Sequence, residues 1–334
     1  MKLKIAGEVA DFLYGPGQGL ALHARGGTDW MSVRMASAPG KGSSRAATFL
    51  ARLTSTVLLW GIVIAVFASG QMWALAILVA ALGLLGSIEY LLLTRETPGR
   101  ECRIWGLVVS AGFLAVLMWQ VLEGSLPVAG FLPEVLGVSA VVLGSFTLRL
   151  RFSIDGDESL RAVTLALLGF VYVPVLFSGF IIRTALLPPA EATETAGFWL
   201  ILLVVLVAKF TDMGAYLVGT LCGKHKAIPH ISPAKSWEGY LGSLFFAQAG
   251  AFGVYALGKE HFAWISGVHH IAILGFILAL AAMVGDLAES ILKRSLRVKD
   301  SGHMLPGIGG VLDLIDSLCF ALPVAFIYVY LLVL

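Results

Sequence analysis

Nine long apolar runs follow a polar, glycine-rich opening stretch, and short polar connections separate them. About 30 Å of hydrocarbon takes about 20 mainly apolar residues to cross as a helix, since only a helix or a closed barrel satisfies its own backbone hydrogen bonds there. The runs predict helices over 54–69, 72–93, 104–122, 126–148, 162–182, 198–220, 239–257, 268–287 and 311–334. Strict apolar–polar alternation, the mark of barrel strands, is not seen. The expectation is therefore an all-α, polytopic integral membrane protein with about nine transmembrane helices.

The opening stretch reads differently. It is rich in Gly and Ser and carries Arg25, Arg34, Lys41, Arg45 and Arg52 before the first apolar run. Residues 1–53 are expected to form a basic, disordered cytosolic arm, 54–197 a set of N-terminal membrane helices, and 198–334 a catalytic membrane region with two cytosolic polar segments. No apolar stretch follows Met-Lys-Leu-Lys closely enough for a secretory signal, and Met31 and Met35 are alternative starts.

Composition narrows the class. Apolar residues make up 58% of the 334 and charged residues 13%, far from the roughly 45–50% and 25% of soluble domains. This excludes a soluble globule and a disordered chain. With 23 basic against 21 acidic residues the net charge is only +2, so nucleic acid is not an expected partner. Cys102, Cys222 and Cys319 are too few and scattered for a disulfide framework or zinc knuckle and read as small apolar residues. Placing the arm inside puts 20 of the 23 basic residues on the cytosolic side, Arg183 and Lys259 outside, and Lys209 within a span. By the positive-inside rule the N-terminus and the polar segments are then cytosolic and the C-terminus outside, in a cell (inner) membrane.

Two segments concentrate the chemistry. In 285–317, Asp286, Ser290 and Lys293 (or Glu289 and Lys293) share a helical face that would suit a metal-bound phosphate. The plainer alternative is a solvated helix end whose Lys293 and Arg294 answer the macrodipole. Asp313 and Asp316 lie one turn apart after a Gly-rich turn. Hard oxygen ligands placed so match how magnesium is held together with substrate phosphates, although acidic residues also favour a helix N-terminus for its dipole alone. The backbone of Gly309 and Gly310 can approach an anion. In 211–239, Asp212 stands at a membrane edge, where an ionised group is costly. Lys224, Lys226 and Lys235, with His225 and His230, suit a polyphosphate or anionic lipid heads equally. Ser232 to Glu238 also reads as a turn into a helix with an interfacial Trp237. Glu89 reads as a helix-packing or interfacial group.

These segments resemble the phosphatidate cytidylyltransferase, or CDP-diacylglycerol synthase, family. The resemblance rests on Ser290, Lys293-Arg294, Lys299-Asp300, Pro306-Gly307-Ile308-Gly309-Gly310, Asp313-Leu314-Ile315-Asp316 and the upstream stretch Ser232 to Gly239, together covering about 205–320. Two positions depart, with Ile308 where the family has His and Leu314 where it has Arg. The resemblance implies transfer of CMP from CTP to phosphatidic acid, with Mg2+ and a second cation as candidate cofactors. It implies Asp286, Asp313 and Asp316 at the metal and Ser290, Lys293 and Arg294 as the catalytic phosphate contacts. Substrate binding would then fall to Asp212, Lys235, Trp237, Glu238, Lys299, Asp300, His303, Gly309 and Gly310, with His303 able to stand in for the missing His. A second copy of the chain is a candidate partner. Rival readings are a CTP-dependent polyprenol or lipid kinase and a membrane transporter; clustering of charge at one face, without an internal repeat, weighs against transport.

Overall fold

The computed structural model describes residues 45–125, 127, 130–154, 156–298, 301–302 and 309–334. The arm as far as residue 44, and Lys299, Asp300, His303 and Ile308, lie outside the described residues. The elements are α1 (Arg45–Ser69), α2 (Met72–Leu93), α3 (Arg100–Leu122), α4 (Leu132–Arg149), α5 (Glu158–Ala185), α6 (Ala196–Cys222), a hairpin of β1 (Lys226–Ile228) and β2 (Ser232–Ser236), α7 (Trp237–Leu257), α8 (Val268–Ser295) and α9 (Leu312–Leu332). Among the described residues, α2 to α9 are eight helices long and apolar enough to cross a membrane, and α1 contributes the shorter apolar stretch Trp60–Ser69.

Every predicted span is helical, and the differences lie at the ends. Helix α1 begins at Arg45, inside the stretch expected to be an arm, because Arg45-Ala46-Ala47 and Leu50-Ala51-Arg52 are good helix formers whatever their polarity. Helix α4 starts late, at Leu132, with Pro133 in its first turn, where a missing N–H costs no helical bond. Helix α8 runs on to Ser295, well beyond its apolar run, so Asp286, Glu289 and Lys293 stay on a rigid helix.

Two features were not legible as periodicity. Within α5, Val171–Gly179 widens into a π-helix around Pro174, which has no N–H to continue the α ladder. This segment packs on α2 and α9. The β-hairpin is the one departure from an all-α chain among the described residues; it pairs Lys226 with Ser236 and Ile228 with Ser232. Pro233 is tolerated because each strand of a two-stranded ribbon has a free edge. Ser236 ends the hairpin and caps α7, its Oγ accepting the Gly239 N–H at 3.1 Å.

The centre of the bundle is apolar along one face of α6, where Leu200, Ile201, Leu203, Val204 and Val207 are inaccessible, and on the facing sides of α8 and α9. Helices α8 and α9 come backbone to backbone at Gly285, where a Cβ would stand 2.6 Å from the Asp316 carbonyl oxygen and 3.0 Å from Ser317 Cα. Glycine there lets neighbouring helices bring Asp286 and Asp316 close. Two expectations need correction. Arg183 is not in an exposed loop but fully buried at the end of α5, 3.0 Å from Glu134 of α4, since a guanidinium in an apolar bundle needs a carboxylate partner. Cys222, expected to pack as an apolar residue, is exposed at the end of α6.

Candidate active site

A cavity of about 650 Å³ opens where α6, the hairpin, α7, α8 and α9 meet, and its charged lining is Asp212, Lys226, Lys235, Asp286, Glu289, Lys293, Asp313 and Asp316. Each element supplies its residues for a local reason. Positions 286, 289 and 293 return to one side of α8 after three and seven steps of a 3.6-residue helix. Positions 313 and 316 are one turn apart on α9. The hairpin folds β2 back so that Lys235 reaches α8, where its Nζ donates to Asp286 Oδ2.

The charges interlock. Lys293 Nζ donates to Glu289 Oε2 at 2.6 Å and across to Asp313 Oδ1 at 2.8 Å, tying α8 to α9. The other oxygen of Asp313 accepts from Ser301 Oγ at 2.8 Å and the Gly310 N–H at 3.0 Å. Asp316 is only 6% exposed and accepts from Ser317 Oγ at 3.1 Å. Asp286 and Asp212 act on Asp316 as like charges, opposed by Lys209. Lys209 Nζ stands 3.7 Å from Asp212 Oδ2 and donates to the Leu314 carbonyl at 3.0 Å.

Five carboxylates thus face three lysine ammonium groups around one cavity. The surplus of negative charge and of hard oxygen donors fits magnesium, and Glu289 Oε1 is buried with no hydrogen-bond partner among the described residues. Among those residues no three Asp, Glu, His or Cys side chains are already gathered as a preformed metal site. Asp286 and Asp313 are each held by a lysine instead.

The expected residues divide into groups. Asp212, Lys235, Asp286, Lys293, Asp313 and Asp316 share the cavity. Ser290 and Arg294 sit on α8 but do not line it; of the two faces weighed for α8, the one through Glu289 points inward. Trp237 is 60% exposed and meets the Tyr240 ring edge-on at 6.0 Å. Glu238 accepts the His225 N–H at 3.2 Å and lies 2.6 Å from His225 Nδ1, so it closes the base of the hairpin rather than facing the cavity. Gly310 offers its amide to an anion, as expected of a Gly-rich turn, but the anion is Asp313. Gly309 adopts φ +119°, which favours glycine, beside the same carboxylate. Leu314 turns to the opposite side of α9, where it lines a small apolar gap with Phe67 and Leu78.

Of two residues of consequence, Glu289 was weighed only within an alternative face of α8, and Lys209 was missed as a site residue. Glu289 stands three residues after Asp286 and four before Lys293, spacing that marks it as their neighbour. Lys209 was noted only as lying within a span, yet a lone ammonium in an apolar run was itself the signal.

The sequence pattern of the cytidylyltransferase family matches residues 50–332, from within α1 to the last residue of α9. The chain belongs to the cytidylyltransferase family. It is also similar to curated members of known name. It is 41% identical to the phosphatidate cytidylyltransferase of Mycobacterium leprae over 126 residues, 37% of this chain and 38% of that protein. It is 34% identical to the phosphatidate cytidylyltransferase of Staphylococcus aureus strain COL over 223 residues, 65% of this chain and 76% of that protein. With the protein of the same name from Mycobacterium bovis it shares 39% over 127 residues, 37% of this chain and 39% of that one. The resemblance read from the C-terminal motifs thus extends, at the level of the family, to the N-terminal helices.

Proposed function

We propose that this cytidylyltransferase-family protein transfers CMP from CTP to phosphatidic acid, releasing pyrophosphate and leaving CDP-diacylglycerol in the membrane. The observation that carries the reading is the cavity in which carboxylates and lysines from several membrane helices and the hairpin meet, within reach of both a lipid headgroup and a soluble nucleotide.

The chemistry asks for charge control and alignment. A phosphate monoester has its second pKa near about 6, so at neutral pH the lipid phosphate is mostly a dianion and needs no general base. One of its oxygens bonds to the α-phosphorus of CTP while the bond from that phosphorus to the bridging oxygen breaks, and pyrophosphate departs with the electron pair. Lys235 and Lys293 are suited to hold phosphate oxygens, since each is already anchored by a carboxylate that fixes where its ammonium points. Lys226, on the facing strand of the hairpin, adds charge for the departing pyrophosphate. Asp286, Asp313 and Asp316 are the residues to hold magnesium, with Asp212 beside them; the ion, when bound, would offset the charge of the gathered phosphates. Placing two polyanions in one oriented site supplies the remaining advantage.

The lysine and arginine distribution supports a cavity on the cytosolic side, where CTP is made, with the end of α9 on the other. The deciding assay uses the purified protein in detergent with phosphatidic acid, magnesium and CTP labelled at either the α- or the γ-phosphate. Label from the α-position in a lipid product is the expected result. Label from the γ-position on lipid would make the protein a lipid kinase and overturn the reading.

A further inference from the structure

Glu89, near the inner end of α2, is 1% exposed and takes no part in the chemistry above. Its surroundings are specific. Helix α9 starts at Leu312 after Val311, a residue with no side-chain acceptor to cap it. The first N–H groups of a helix have no partner within it and must find one elsewhere. Glu89 Oε2, reaching across from α2, accepts the Leu312 N–H at 2.9 Å. Its Oε1 stands 3.4 Å from Ser301 Oγ, the hydroxyl that donates to Asp313. A Cβ on either Gly302 or Gly310 would collide with the Glu89 carboxylate, so both backbone stems pass against it.

We propose that Glu89 is a positioning residue for the catalytic cavity: it clamps the stems 301–302 and 310–312 together, caps α9 from outside, and thereby aims Asp313. The carboxylate is the right group for this task. It can accept several hydrogen bonds at once, and its negative charge favours a helix N-terminus. Ser301 has one proton, and the shorter bond gives it to Asp313. Leu312 N–H and Asp313 are adjacent in sequence, so a shift of the first reorients the second. Through this contact the N-terminal helices, which contribute no residue to the cavity lining, act on the site.

The inference rests on the reading of the cavity as a magnesium-dependent transferase site, and the test separates the two. Glu89→Ala, Glu89→Asp and Glu89→Gln are purified in detergent. Hydrogen exchange is followed over 309–316 without metal, and Mn2+ binding is titrated by electron paramagnetic resonance without substrate. Glu89→Ala should speed exchange over 309–316 by about tenfold while leaving α3 as in the unsubstituted protein. It should also weaken Mn2+ by about tenfold, the usual effect of losing a group that orients a ligand. Glu89→Asp, too short to reach Leu312, should behave alike and serves if the alanine variant does not fold. Glu89→Gln, which keeps an acceptor oxygen, should restore slow exchange. Unchanged exchange in both Glu89→Ala and Glu89→Asp, equal acceleration in every helix, or Glu89→Gln as fast as Glu89→Ala would each overturn the proposal. Failure of the unsubstituted protein to bind Mn2+ would count against the metal reading instead, and the exchange data would still decide Glu89.

Discussion

Lys293 of α8 and Asp313 of α9 meet at 2.8 Å across the helix pair, and the same ammonium holds Glu289 at 2.6 Å. One cation therefore links the two helices that carry the expected metal carboxylates. Removing it leaves two acids facing each other with no counter-charge. Lys293→Met should destabilise the protein by about 3–5 kcal/mol, the range for breaking a buried ion pair by taking one partner. Thermal unfolding in detergent measures this, and near-normal stability would show the pair to be solvated.

Asp286→Asn, Asp313→Asn and Asp316→Asn should each lower turnover about a hundredfold or more while the protein still inserts and folds. The amide keeps shape and removes a charged oxygen. A variant that keeps near-normal activity through a magnesium titration excludes that residue as a required ligand.

Lys235 and Trp237, two residues apart, should separate cleanly. Lys235 donates to Asp286 within the cavity, whereas Trp237 is exposed outside it. Lys235→Met should cost about a hundredfold in activity, and Trp237→Phe no more than about twofold, as for a surface change. Equal losses would mean that the hairpin region acts only as a structural unit.

Gly285→Ala tests how the carboxylates are brought together. The added methyl would meet the Asp316 carbonyl, so α8 and α9 must part, at a cost of about 1–3 kcal/mol for overpacking. Activity should fall more than stability, because both neighbours of the contact are candidate ligands. Equal activity and an unchanged unfolding temperature would show that the helix pair can yield there.

Topology is open to direct labelling. Cys222 is exposed and is first replaced by Ser. A single cysteine at position 226 should react with an impermeant maleimide only after the cells are opened, and one at position 259 should react in intact cells. The reverse pattern would invert the orientation.

Sequence alone determined the class of this protein and the place of its helices. A span must be apolar because hydrocarbon cannot solvate polar groups, so the eight helices long enough to cross a membrane and the shorter apolar stretch of α1 could be read from composition in a sliding stretch. It also pointed to the residues the fold gathers around the cavity, Asp286, Asp313, Asp316, Lys235 and Lys293, because charged groups next to apolar spans are costly to bury without a task. Tertiary structure decided what sequence separation hides. Asp286 finds Lys235 from 51 residues away, and Glu89 finds Leu312 from 223 away. Neither pairing leaves a trace in local periodicity, because each depends on which elements pack together. The face of α8 that points inward, through Glu289 rather than Ser290, was equally undecided by spacing: three and four steps along a helix are nearly equivalent until a neighbouring helix chooses between them.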